Sequence, residues 1–109
     1  MIRYAEELYL TDRTRKDLKK IKRKLYLGAG MPEIYVIKMA DNINDVFDIV
    51  PATMFKSRRY RRRDHAVIGI AESRRKAYRL VESMVLEHYV RCGAYTELKA
   101  DYLCRFDAS

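Results

Sequence analysis

Near the start of the chain Tyr4, Leu8 and Leu10 fall on one side of residues 4–10 at a period of two, the spacing of a strand. From Thr11 or Asp12, either of which can cap a helix, the period lengthens. Thr14, Leu18, Ile21 and Leu25 recur at helical spacing, Lys16, Lys19, Lys20, Lys22, Arg23 and Lys24 fill the other faces, and Gly28, Gly30 and Pro32 end the run. Residues 33–39 and 65–71 are rich in β-formers and apolar on both sides, which predicts two buried strands. Between them lies an insertion at about 41–64, where Val46 to Val50 reads as a short strand in preference to a turn of helix before Pro51. The clearest period starts at Ser73, with Ala77, Leu80, Val81, Met84, Val85 and His88 on one helical stripe that stops before Gly93. Leu98, Ala100, Tyr102, Cys104 and Phe106 then alternate with Lys99, Asp101 and Arg105, the pattern of an edge strand with one wet face.

This order, β-α-β, insertion, β-α-β, resembles the ferredoxin-like plan, an α+β fold in which an antiparallel sheet carries two helices on one face. The resemblance is one of architecture and implies no activity. It treats residues 1–109 as a single α+β domain. It also leaves a helix-free sheet face: Tyr35, Ile37 and Met39 oppose Ile34 and Val36, and Ile68 and Ile70 oppose Val67. That face needs cover from the 41–55 segment or from a second copy of the chain, and a homodimer through it is the favoured expectation.

With 109 residues, 49% of them hydrophobic, the chain can bury a core without a disulfide framework, and disordered or low-complexity readings fail. Cys92 and Cys104 form no CxxC pair, which fits reduced thiols, with a single disulfide between them as the alternative. Glu6 and Glu7 stand where a signal peptide needs its apolar run, and no stretch reaches the roughly 18 apolar residues of a membrane span. The expectation is a cytoplasmic protein without a membrane partner.

Charge changes the picture most. There are 23 Lys and Arg against 15 Asp and Glu, a formal net +8. Residues 12–24 and 56–63 together carry +12, so the rest of the chain nets −4. Segregated positive charge is a directed field that gathers anionic partners. In the segment 56–63, Lys56, Arg58, Arg59, Arg61, Arg62 and Arg63 surround Tyr60; guanidinium forks match phosphate oxygens, and an interleaved tyrosine can stack on an unpaired base. The bland alternative is a solvated loop. In the expected topology this segment feeds the same end of the sheet that the first helix reaches with Lys20, Lys22, Arg23 and Lys24, so the two would form one surface. A second anion site could form at the helix starts, where Arg13, Arg15 and Lys16 and then Arg74, Arg75 and Lys76 oppose the macrodipole, unless these side chains splay into water.

Other chemistry finds less support. His88 and Cys92 are spaced i, i+4, with Cys104 or His65 as completions of a metal site, but a boundary histidine is the simpler reading, and no metal or cofactor is expected. No nucleophile, base and acid are placed as a set, and Gly28-Ala29-Gly30 is a helix stop without the flanking elements of a dinucleotide motif. None of the nine tyrosines lies in the pattern of an RNA-recognition sheet. The expectation is a small non-enzymatic module that binds a polyanion, nucleic acid first; the alternative is a protein-interaction or regulatory assembly module with an acidic partner.

Overall fold

The computed structural model describes residues 2–42, 44–93 and 98–106. It is an α+β fold whose four-stranded sheet has the order β1-β4-β2-β3, from β1 (Ile2–Leu10), β2 (Tyr35–Met39), β3 (Phe47–Pro51) and β4 (His65–Ala71). The sheet is mixed, not antiparallel: β1 runs parallel to β4, while β2 is antiparallel to both β4 and β3. The favoured strand in the insertion is present as β3, and it completes the sheet at one edge.

Helices lie on both faces, which corrects the expectation of two on one face. Ile34, Val36, Val67 and Ile70 pack with Ile21 and Leu25 of α2 (Leu18–Leu27) and with Met31, Ala52 and Phe55. On the other side Ile37, Met39, Ala66, Ile68 and Ala71 pack with Ala77 and Met84 of α4 (Arg74–Cys92) and with Tyr102 of α5 (Leu98–Leu103). Among the described residues neither sheet face is left helix-free for the expected homodimer to bury. Ile68 and Ile70, expected on one face, sit on opposite faces because the β2–β4 register slips between Ile37 and Lys38, and one extra residue reverses the side-chain parity.

Local chemistry explains the element boundaries. The first helix is broken at Asp17 into α1 (Asp12–Lys16) and α2, with Thr11 as the N-cap. The Thr11 N–H donates to Thr14 Oγ1 at 2.9 Å, and that buried hydroxyl donates to the Ile70 carbonyl at 3.0 Å, tying the helix start to β4. Gly28 ends α2 at φ 74°, a left-handed cap that other residues rarely adopt.

The expected strand at 98–106 is helical, as α5 followed by a 3-10 turn at Cys104–Phe106. Leu98, Tyr102 and Phe106 are spaced by four, so they share one side in either conformation, and all three pack against the α4 face. The fully buried Tyr102 decides the outcome: its hydroxyl donates to the Met84 carbonyl at 2.6 Å, and its ring meets Phe47 edge-on at 5.4 Å.

Gly69 marks a close approach. Three extra residues of β1 bulge between Tyr4 and Tyr9, and where the strand returns a Cβ on Gly69 would lie 2.9 Å from the Tyr9 carbonyl oxygen. Gly69→Ala is therefore expected to destabilise the fold by about 1–3 kcal/mol, through forced backbone shifts. Thermal unfolding checks this; an unchanged melting temperature contradicts the close contact.

Candidate functional site

The chain leaves the sheet at Pro51 and must cross the α2 face to reach the start of β4 at His65. It does so as a 3-10 turn (Ala52–Lys56) and α3 (Arg58–Arg61). Ala52 N–H donates to the Ile34 carbonyl at 2.9 Å, and Phe55 is buried beneath the crossing. Ser57 caps α3, its Oγ accepting from the Tyr60 N–H at 3.2 Å. Tyr60 turns inward, with its ring 5.2 Å from Phe55 and 4.6 Å from His65. Arg58, Arg61 and Arg62, spaced i, i+3 and i+4, share another side of this turn.

That side faces the end of α2 across an open groove of about 640 Å³. Its cationic lining is Lys22, Arg58, Arg61 and Arg62; Ile2, Tyr4, Tyr26 and Leu27 complete it, and none of these residues is acidic. The Lys22 ammonium lies 4.5 Å from the Tyr4 ring centroid, and burial pushes the Tyr4 hydroxyl up to about 12. Arg61 is held from behind: its guanidinium lies across Gly28 and donates to the Phe55 carbonyl at 2.8 Å, near the negative end of the α2 dipole. Tyr26 and Leu27 are 76% and 64% exposed.

The expected convergence of helix and loop therefore holds for Lys22 with Arg58, Arg61 and Arg62, and not for the rest. Lys20 and Lys24 line a separate cleft of about 240 Å³ against Gly30–Ile34, and Lys56 lies alongside Gly30. Arg23 and Arg59 are exposed outside both recesses. Arg63 pairs with Asp41 at 3.2 Å. Tyr60 is half-buried against Phe55 and His65 and does not line the groove. Tyr26 and Leu27 were missed, although two apolar residues outside the 14-18-21-25 stripe and beside a basic run are a readable signal.

Behind α3 lies a buried polar pair. Lys38 is 3% exposed, and its Nζ sits 3.0 Å from His65 Nδ1, while His65 Nε2 sits 2.6 Å from the Tyr60 carbonyl. A carbonyl only accepts, so Nε2 carries the proton and Nδ1 accepts from Lys38. Burial pulls the His65 pKa below the ordinary imidazole value and the Lys38 charge acts in the same direction, against the hydrogen bond to Tyr60. Lys38 also lies 3.8 Å from Asp41 and faces the Tyr60 ring.

The helix starts do not converge. They share one end of the sheet but sit on opposite faces, and Glu72 already lies between them, accepting from Thr11 Oγ1 at 3.0 Å and from the Lys76 ammonium. The Lys76 contact holds the Glu72 carboxyl below its usual range. Arg13 pairs with Glu33 at 3.0 Å, Arg74 lies 5.5 Å from the Tyr35 ring centroid, Arg75 lines a recess with Tyr78 and Arg79, and Arg15 is exposed. His88 Nδ1 is 2.9 Å from Asp101, and among the described residues no three ligand-type side chains cluster to hold a metal. Both cysteines are free and exposed. No described helix is long and apolar enough to cross a membrane. Comparison with protein-family models, with curated proteins and with solved structures found no match.

Two outcomes follow from these contacts. Arg61→Ala is expected to lower stability by about 1–2 kcal/mol through loss of its charged hydrogen bond, whereas Arg59→Ala stays within about 0.5 kcal/mol of wild type; equal denaturation midpoints for the two would contradict the bracing role of Arg61. For His65 the folded pKa is depressed, so the unfolded chain binds the proton first as pH falls. Its contribution is complete above about pH 6.5 and is lost below that value. The melting temperature of His65→Gln should therefore fall less than that of wild type between about pH 7.5 and pH 5.5; parallel falls would show that His65 is not the titrating group.

Proposed function

We propose that this protein binds nucleic acid through the groove between the end of α2 and α3, a binding role and not a catalytic one. The observation that carries the reading is the convergence of Lys22, Arg58, Arg61 and Arg62 on one recess whose lining contains no acidic residue. Several basic side chains outside the groove are paired with carboxylates: Arg3 with Asp64, Arg13 with Glu33 and Arg63 with Asp41. Like charges gathered in one recess repel, and an anion that enters between them relieves the repulsion. Arginine forks favour phosphate oxygens, and a polymer with regularly spaced phosphates engages several at once. The net charge of +8 acts at longer range by steering such a polymer toward the surface.

Contacts to phosphate carry little sequence information, so binding should be strongly salt-dependent and weakly sequence-dependent. With three or four phosphates engaged, affinity should fall roughly 20- to 150-fold between about 50 and 200 mM salt. Fluorescence anisotropy with short RNA and DNA oligonucleotides measures this. The double substitution Lys22→Gln, Arg58→Gln should remove most of the binding at a cost of only about 1 kcal/mol in stability, from the lost Lys22–Tyr4 contact, whereas Arg13→Gln with Arg15→Gln should have little effect on binding. Absence of binding at low salt, together with co-purification of a defined acidic protein, would replace the reading with that of a protein-interaction module.

A further inference from the structure

We infer that the groove selects an unpaired strand, with Tyr26 as the platform on which a base stacks; this rests on the nucleic-acid reading and narrows it. Tyr26 and Leu27 are adjacent, large and mostly exposed, and both line the groove whose other walls carry the cations. Neither belongs to the buried clusters or to the partly buried residues packed on them, so folding does not account for their apolar surface. The other tyrosine of the groove is already engaged, since the Lys22 ammonium stands 4.5 Å from the Tyr4 ring centroid. Tyr26 is thus the aromatic face left open to a ligand. A duplex presents phosphates outward and keeps its bases stacked inside, so it would meet the arginines and leave Tyr26 and Leu27 against water. An unpaired strand offers phosphates to Lys22, Arg58 and Arg62 and a base face to Tyr26 in one pose, which is the combination of basic track and aromatic platform that suits single strands.

A membrane surface also combines anionic and apolar character, but a bilayer meets protruding apolar side chains, whereas here they border a recess walled by two segments of the chain. The recess, about 640 Å³ and open to solvent, leaves room for a base beside the Tyr26 ring.

The test compares wild type, Tyr26→Ala and Tyr26→Phe for binding to a single strand of about ten nucleotides, to the same sequence as a duplex, and to vesicles containing anionic phospholipid. Tyr26 is exposed, so neither substitution should alter folding. The expected result is preference of wild type for the single strand, a loss of about 5- to 100-fold in Tyr26→Ala, and recovery in Tyr26→Phe, which keeps the ring. Equal affinity for single strand and duplex, with Tyr26→Ala unchanged, overturns the inference and leaves the nucleic-acid reading intact. No binding to either nucleic acid at low salt overturns both. Vesicle binding that depends on Tyr26, with weaker binding to the single strand, overturns the inference in favour of a lipid surface.

Discussion

The two central strands, β2 and β4, are apolar on both faces, and every other part of the molecule is arranged by the need to keep water from both. Burying apolar surface at about 25 cal/mol per Å² is the main favourable contribution to folding, and a sheet with two apolar faces gains it only if each is covered. One face takes α4 and α5; the other takes α2 and the crossing segment that contains Phe55. The proposed binding groove forms at the crossing. The chain must return from the end of β3 to the start of β4, and its route over the α2 face carries three arginines to the end of a lysine-rich helix.

Within that crossing, the side chains divide the work. Tyr60 and Phe55 face inward and anchor α3, the Lys38–His65 pair holds the Tyr60 carbonyl from below, and Arg61 ties the crossing to the cap of α2. Arg58 and Arg62 are thereby presented on a braced turn and not on a solvated loop. Bracing reduces the ordering cost of binding, because the arginines' backbone is already fixed when a ligand arrives. The buried pair depends on a neutral imidazole, so acidification weakens the support of the same turn.

Much of this was readable in the residues. The helical periods of 14–25 and 77–88 and the double-sided strands at 33–39 and 65–71 are strong because many apolar positions agree on one spacing. The meeting of Lys22 with Arg58, Arg61 and Arg62 was readable as well, since it needs only the two segments to reach the same end of the sheet. What escaped depends on contacts between distant residues. Leu98, Tyr102 and Phe106 satisfy both periods, and only Tyr102 against Met84 and Phe47 selects the helix. Tyr60 looks like a free aromatic among arginines until Phe55 and His65 are placed beneath it. That α2 and α4 take opposite faces also rests on distant contacts, Ile21 and Leu25 with Val36 and Ile70 on one side and Ala77 and Met84 with Ile37 and Ile68 on the other.

The most direct test of the account is a residue-resolved amide chemical-shift titration of the full chain with a short single-stranded oligonucleotide at low salt. The account predicts perturbations gathered at Lys22, Tyr26, Leu27, Arg58 and Arg62, with the exposed face of α4 around Arg75 and Tyr78 unaffected. Perturbations centred on Arg74, Arg75 and Tyr78, or none at saturating oligonucleotide, would contradict it.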